Sequence, residues 1–103
     1  MSTDNKLDPN APRQIQVELD PETAQGMYVN MAMVNHSENE FTLDFIYVQP
    51  QAVKAKVRAR MISSAKHTKR LLFALQDAVK KFEAIHGEID ISGPPMPPSK
   101  ILN

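Results

Sequence analysis

The sequence predicts an α+β domain, in which a four-stranded antiparallel sheet with meander connections is followed by one long C-terminal helix packed on one face of the sheet. Two observations predict this fold class. Apolar and polar residues alternate along four successive segments, which is the period of half-buried strands. The period then changes to that of an amphipathic helix. The chain of 103 residues is long enough for one domain with one core and too short for two.

The two ends of the chain are predicted to lie outside this domain. Residues 1–13 contain almost no large apolar side chain, so they bury too little surface to offset the entropy lost on ordering. Residues 89–103 include closely spaced prolines, which disfavour both helix and sheet. We therefore expect a disordered N-terminal arm over residues 1–13, a single domain over residues 14–88 and a flexible proline-rich tail over residues 89–103.

The first predicted strand and a short helical turn open the domain. Ile15, Val17 and Leu19 alternate with polar residues, as in a strand with one buried face. Asp20 then stands where a helix cap is favoured, and Pro21 follows in a first helical position. These residues predict a strand that ends in a capped turn.

The next two predicted strands form a hairpin. Residues 27–37 alternate and place three of the chain's methionines on one face. The polar residues 37–40, SENE, suit a tight connection between antiparallel strands. Residues 41–50 alternate again, and Pro50 ends this third strand.

The fourth predicted strand, residues 53–62, carries a regular row of basic residues. Small and apolar residues alternate with the basic ones, so every basic side chain is expected on the same outward face. The residues of this basic row are Lys54, Lys56, Arg58 and Arg60.

A long helix is predicted from Ala65 to His86. Ser63 or Ser64 is suited to the N-cap, and Gly87 to the left-handed position after the last turn. Apolar residues recur at helical spacing and are expected to lie across one face of the sheet. This apolar arc comprises Leu71, Leu72, Leu75, Ala78, Val79, Phe82 and Ile85.

Charge is distributed unevenly, although the formal net charge is zero. Residues 14–50 contain six acidic and no basic residues, whereas residues 51–81 contain nine basic residues and one acidic.

The basic row has three interpretations. It is a solvated face that keeps a strand edge from pairing, or Asp44 and Glu18 pair with Lys56 or Arg58 within the sheet or across a subunit interface. In the third interpretation it binds a polyanion such as nucleic acid.

The start of the helix bears on the third interpretation. Basic side chains occupy the first turns, where the helix macrodipole disfavours them by about 0.3–1 kcal/mol each. We therefore expect a negative group nearby, either a carboxylate of the fold or a bound phosphate. The candidate polyanion-binding residues are Lys54, Lys56, Arg58, Arg60, Lys66, Lys69 and Arg70.

Two apolar features predict contacts with other proteins. Phe73 falls outside the apolar arc of the helix, among basic residues, where an exposed ring can anchor a partner or stack on a base. The sheet face opposite the helix is expected to carry an uncovered apolar patch, and we expect a homo-oligomer, by default a closed dimer, to bury it. This patch comprises Tyr28, Val34, Ile46, Val48 and Ile62.

No enzymatic site is predicted, and neither a metal nor a cofactor is expected. The three glycines are isolated, so there is no glycine-rich phosphate loop. His36, His67 and His86 have no metal-ligand spacing, and the chain has no cysteine for a thiolate site. No apolar run approaches the roughly 18 residues of a membrane span, so we expect a cytoplasmic protein without membrane contact.

Two consecutive stretches carry a resemblance to a known family. They are MYVNMAMVNHSENEFTLDFIYVQP and KAKVRARMISSAKHTKRLLFALQDAVKKFEAIHG, and the likeness covers about residues 15–87. The sequence resembles a family of short bacterial proteins catalogued only as a domain of unknown function. The resemblance implies no activity, catalytic residue or cofactor.

From these observations we predict a non-enzymatic, oligomeric binding or adaptor protein that acts through protein–protein contacts with an unidentified partner. Its likeness to small sheet-plus-helix chaperone or adaptor modules is an analogy at the level of the fold. The alternative is nucleic-acid binding through the basic strand and the helix start. Salt-sensitive binding of a polyanion favours the alternative, and stoichiometric capture of one protein favours the first prediction.

Overall fold

The computed structural model describes residue 10 and residues 13–51 and 53–93. The fold is α+β, as predicted, and its sheet is an antiparallel meander in the order β1-β2-β3. Most of the predicted N-terminal arm and proline-rich tail lie outside the described residues. The elements are α1 (Pro21–Ala24), β1 (Met31–His36), β2 (Glu40–Tyr47), β3 (Lys56–Ser64) and α2 (Ala65–His86).

The predicted first strand is absent from the sheet, which has three strands among the described residues. Ile15, Val17 and Leu19 are 79%, 88% and 66% exposed, and no neighbouring backbone pairs with them. The prediction of a strand over residues 15–19 was wrong because alternation is a local pattern. A strand also needs a partner whose backbone accepts and donates its ladder hydrogen bonds.

The short helix α1 forms where the sequence places it. The Asp20 carboxylate accepts a hydrogen bond from the Thr23 backbone N–H at 3.1 Å, and Pro21 occupies the first turn. Hydrogen bonding from Thr23, first from its side chain and then from its backbone N–H, lowers the pKa of Asp20 below its ordinary value of 3.8. The chain then turns at Gly26, whose φ of 76° lies in the left-handed region that glycine adopts without strain.

The predicted hairpin is confirmed in β1 and β2, although β1 is shorter than expected. Ser37 closes the turn, since its backbone N–H donates to the Glu40 carbonyl at 2.9 Å. Residues 27–30 precede β1, and Asn30 ties this segment to the end of β2. The Asn30 side chain both donates to the Val48 carbonyl and accepts from the Val48 N–H, each at 2.8 Å.

An irregularity in the pairing of β2 with β3 divides the predicted basic row. The register shifts between Phe45 and Ile46, so Asp44 lies opposite Arg60 and Tyr47 lies opposite Lys56. Asp44 and Tyr47 are three residues apart and therefore face opposite sides of the sheet. Arg60 and Lys56 consequently lie on opposite faces as well, and the expectation of one continuous basic face was wrong.

The long helix α2 begins at Ala65 and ends at His86, as predicted. Ser64, one of the two candidate caps, accepts a hydrogen bond from the His67 backbone N–H at 3.1 Å. Gly87 follows with a φ of 92°, again in the left-handed region. With 22 residues, the helix is about 33 Å long.

The helix does not cover the sheet as the sequence suggested. In the apolar arc only Leu71 is half-buried, and the rest of the arc is exposed. β3 ends at Ser64 and α2 begins at the next residue, so no loop allows the helix to fold back across the strands. Among the described residues, Ile46 is the one hydrophobic side chain that is buried. The described part of one chain therefore encloses very little core.

Candidate functional site

The central feature of the sheet is an ion pair between Asp44 on β2 and Arg60 on β3. Arg60 Nε lies 2.7 Å from Asp44 Oδ1, and Arg60 Nη2 lies 2.9 Å from Asp44 Oδ2. The Asp44 side chain is fully buried, whereas the Arg60 side chain remains 53% exposed and covers it. The hydrogen bonds from Arg60 hold the pKa of Asp44 below its ordinary value of 3.8. They also raise the pKa of the Arg60 guanidinium.

This pair corrects the second interpretation of the basic row. A cross-strand pair with Asp44 was expected, but with Lys56 or Arg58 as the cation. The register of β2 and β3 places Arg60 in that position instead. Both oxygens of Asp44 are occupied by a planar fork of donors, which is the geometry that arginine provides and lysine does not. The pair uses the Nε and Nη2 donors of Arg60 and offsets its charge, so Arg60 attracts a phosphate less strongly than an unpaired arginine would.

Arg58 is also engaged, in a small aromatic cluster. Its Nη1 donates to the Tyr28 carbonyl at 3.3 Å, and its guanidinium carbon lies 5.2 Å from the centre of the Tyr47 ring. The Tyr28 and Tyr47 rings meet edge to face with centres 5.8 Å apart. Arg58 and Tyr28 were predicted for different roles, and the fold brings them together. The sequence contains no local signal for this contact, because the two residues are 30 positions apart.

The remaining basic candidates are all exposed. Among the residues that the structure describes, none of them has a carboxylate within ion-pair distance; besides Asp44–Arg60, the recorded pair is Lys81–Asp77 at 3.0 Å. The fold carboxylate expected near the helix start is thus not found in this range. These exposed residues are Lys54, Lys56, Lys66, Lys69 and Arg70.

The predicted partner-binding residues divide into exposed and buried. Phe73 is 55% exposed and Tyr28 is 71% exposed, while Val48 is half-buried. Ile46 is only 3% exposed, so the prediction that it contributes to an open patch was wrong. It lies on the central strand, on the same face as Asp44, and the neighbouring strands flank it on both sides.

The patch itself is also split between the two sides of the sheet. Val34 pairs with Leu43, whereas Ile62 pairs with Thr42. Because Leu43 and Thr42 are adjacent in β2, their side chains and those of their partners point to opposite faces. Val34 is 57% exposed and Ile62 is 63% exposed, so both faces present apolar side chains to solvent.

A continuous apolar stripe lies on α2. Leu72, Leu75, Val79 and Phe82 form a stripe along the helix, which we call the helix seam. Their exposed fractions are 51%, 55%, 42% and 49%. A shallow depression on this stripe is lined by Leu72, Leu75 and Val79 together with Gln76 and Lys80. The sequence predicts this stripe from its spacing, and what it does not predict is that the sheet leaves the stripe uncovered.

A comparison with protein-family models identifies the group to which this sequence is related. Residues 1–91 match the model described as "Protein of unknown function (DUF3467)". The chain belongs to the DUF3467 family. A comparison with curated proteins and one with solved structures each give no match.

The described residues of the DUF3467 chain contain neither a cluster of metal-ligating residues nor a helix suited to a membrane. Within residues 13–51 and 53–93, and at residue 10, no three histidine, cysteine or acidic residues lie close enough together to hold a metal ion. In the same part of the chain, no helix combines the length and the apolar character needed to cross a bilayer. The exposed apolar and basic surfaces are the candidate functional features of the described residues.

Proposed function

We propose that this protein is a non-enzymatic, oligomeric binding or adaptor protein that works through protein–protein contacts. One observation carries the proposal: large apolar side chains on α2 and on both sheet faces are exposed, while Ile46 alone is buried among the described hydrophobic residues. A chain of this size needs a core to offset its conformational entropy. Contiguous exposed apolar surface on a folded chain usually marks an interface.

Phe73 is the candidate anchor for a partner other than a second copy. It projects from the side of α2 away from the helix seam, and its ring is 55% exposed. Exposed basic residues surround it on the helix, and these include Lys69 and Arg70. An aromatic ring within a basic surround matches an acidic or amphipathic protein partner, since aromatic residues and arginine dominate interface energetics.

Site-specific photo-cross-linking in the source cells tests this proposal. A photoreactive phenylalanine analogue replaces Phe73 in the full chain, and a matched control carries it at Glu22, which is exposed on α1. We expect the Phe73 probe, and not the Glu22 probe, to form one discrete adduct with a different protein. Mixing with a mass-labelled copy distinguishes that adduct from self-cross-links. Self-cross-links alone at Phe73, or adducts equal to those of the control, would overturn the partner role.

A second candidate function is binding of a polyanion at the start of α2. The specific observation is that Lys66, Lys69 and Arg70 are exposed beside the positive end of the helix, with no carboxylate recorded within 4.0 Å of them in the described residues. Such a cluster attracts phosphate groups. It is weaker than the sequence implied, because Arg58 and Arg60 are engaged within the fold.

Fluorescence anisotropy with labelled DNA and RNA tests the second candidate. Binding that engages several phosphates weakens by orders of magnitude between about 50 and 200 mM salt, with a slope near −0.9 per phosphate on duplex DNA. Lys66→Ala and Arg70→Ala should each weaken it, whereas Lys81→Ala should not, because Lys81 is paired with Asp77. Absence of binding at about 50 mM salt would exclude this function.

A further inference from the structure

The helix seam has the spacing of a coiled-coil interface. Leu72, Leu75, Val79 and Phe82 are separated by three, four and three residues, which is the alternation of a and d positions in a heptad. Leu72 and Val79 then occupy a positions, and Leu75 and Phe82 occupy d positions. All four side chains are between 42% and 55% exposed. Its spacing and exposure suit a second helix, and within residues 13–51 and 53–93 no other helix covers it.

The flanking residues define which helix fits. With this heptad assignment, the e positions beside the seam are Lys69, Gln76 and Glu83. In an antiparallel pair related by a two-fold axis, each a residue faces a d residue of the other helix. Leu72 then meets Phe82 of the second copy.

The same alignment orders the e positions. Leu75 meets Val79 of the second copy in the middle of the seam, which places the two-fold axis near Gln76. Lys69 then lies opposite Glu83 of the second copy, and this pair occurs twice per dimer. Gln76 lies opposite Gln76 of the second copy. One alignment therefore packs the apolar residues against each other and also brings the opposite charges together.

We propose that the helix seam is a self-association surface, on which α2 of a second copy binds antiparallel to form a closed dimer. The proposal rests on the oligomeric part of the proposed function and names the surface responsible. It differs from the expectation that the dimer forms through one sheet face, because the patch that supported that expectation is split between two faces.

Charge distinguishes the antiparallel from the parallel arrangement. The first half of α2 contains Lys66, Lys69 and Arg70 and no acidic residue. A parallel pair would place these basic turns side by side and align the two helix macrodipoles. An antiparallel pair places them near the end of the other helix, where Glu83 lies and the macrodipole is negative. The isologous antiparallel arrangement is therefore the favoured one.

The area available agrees with a dimer interface. A fully buried aromatic side chain such as that of Phe82 accounts for roughly 150–250 Å². The seam and the adjacent Ile85, which is 75% exposed, then offer on the order of 500 Å² per protomer. A standard interface buries about 800 Å² per partner. Flanking residues such as Leu71, Gln76 and Ala78 lie at the margins of the seam and supply further area.

Single-cysteine variants test the alignment, because the chain has no cysteine of its own. Gln76→Cys places one thiol per protomer near the proposed two-fold axis, where it faces the same thiol of the second copy. Ala84→Cys, which is exposed on the opposite side of the helix, is the matched control. With a short bismaleimide cross-linker we expect a covalent dimer of Gln76→Cys and little of Ala84→Cys. A dimer cross-linked through Leu72→Cys and not through Gln76→Cys would indicate a parallel pair and overturn the proposal.

Charge reversal tests the proposed pairing of Lys69 with Glu83. Glu83→Lys and Lys69→Glu should each weaken dimerisation about tenfold, since two pairs per dimer become repulsive. The double variant should restore the dissociation constant to within about threefold of the original. Glu83 also accepts a hydrogen bond from the Ile89 backbone N–H at 2.9 Å, so helix content is checked by circular dichroism. Failure of the double variant to recover would overturn the pairing.

Two failures are distinguishable by sedimentation equilibrium of the unmodified chain. A dimer in which Gln76→Cys cross-links no better than Ala84→Cys would overturn the helix seam and leave the oligomeric part of the proposed function in place. A chain that stays monomeric at about 100 µM would overturn both. Neither outcome involves Phe73, whose partner role is tested separately.

Discussion

Asp44 and Arg60 form a two-point ion pair across the centre of the sheet, with contacts of 2.7 and 2.9 Å. Asp44 lies on the central strand, between Met33 of β1 and Arg60 of β3. Its side chain is fully buried, and Arg60 provides both of its recorded hydrogen bonds. The pair fixes the register of β2 and β3 beyond the irregularity at Phe45 and Ile46, because a shift by one residue would separate the two side chains.

Removal of Arg60 should destabilise the fold more than removal of any exposed lysine. Arg60→Ala leaves the Asp44 carboxylate without its donors, and an unpaired buried charge is strongly unfavourable. Arg60→Lys should give an intermediate loss, because an ammonium cannot make the two-point contact. Urea denaturation measures the effect, with Lys81→Ala as the control for an exposed ion pair. Equal midpoints for Arg60→Ala and Lys81→Ala would contradict this role for the pair.

The same pair predicts an acid dependence of stability. The pKa of Asp44 is lowered in the folded state from 3.8, so below pH 3.8 the unfolded chain binds a proton more readily than the folded chain. The contribution of Asp44 to the free energy of unfolding should be constant well above that pH. It should fall as the pH drops toward the pKa of Asp44 in the folded state. The pKa values of Asp20 and Asp90 are also lowered, by hydrogen bonds from Thr23 and Ser92, and these groups act in the same direction.

Asp44→Asn isolates the contribution of Asp44 to that acid dependence. The variant should be less stable than the original chain near neutral pH, because it loses the charged pair. Its stability should also change less between about pH 5 and pH 2. Urea denaturation across this range measures both slopes. A variant that retains the full acid slope would show that other carboxylates carry it.

Ser64→Ala tests the cap of α2. The substitution removes the hydrogen bond from the His67 N–H and should cost about 0.5–2 kcal/mol of unfolding free energy. Ser63→Ala is the matched control, since Ser63 makes only a 3.4 Å contact with the neighbouring carbonyl. Chemical denaturation followed by circular dichroism at the helix band measures the difference. Equal losses for the two serines would contradict the assignment of Ser64 as the cap.

Asn30→Ala should loosen the segment before β1. The Asn30 amide makes two hydrogen bonds to the Val48 backbone, and their loss should cost about 1 kcal/mol. Asn35→Ala is the control, because Asn35 is exposed on the same strand region and a surface substitution there should stay within about 0.5 kcal/mol. Amide hydrogen exchange at Val48 reports the local effect. Unchanged protection of that amide in Asn30→Ala would contradict it.

Local signals in the sequence were sufficient for the helix and the hairpin. Ser64 and Gly87 fix the ends of α2 because capping depends on residues within one turn. The polar turn at Ser37 similarly predicts the hairpin. Ile15, Val17 and Leu19 have the same local alternation as a true strand. The segment does not form one because no partner strand is adjacent. Pairing is a property of the whole sheet and not of the segment.

The remaining differences arise from geometry that the sequence does not encode locally. The register of β2 and β3 gives Asp44 the partner Arg60 rather than Lys56 or Arg58, and the shift between Phe45 and Ile46 places Lys56 on the other face. The direct passage from Ser64 to Ala65 leaves α2 without a loop, so its apolar arc points to solvent. The sequence therefore predicts which residues form the helix seam, and the structure shows that no other described element covers it.

Sedimentation equilibrium of the full chain tests the central claim most directly, because the claim is that surfaces left apolar in one chain are covered by another. The mass of one chain is 11.6 kDa. We predict twice that mass at about 100 µM, with a shift toward the single-chain mass on dilution. A mass of 11.6 kDa throughout the concentration range would contradict the account.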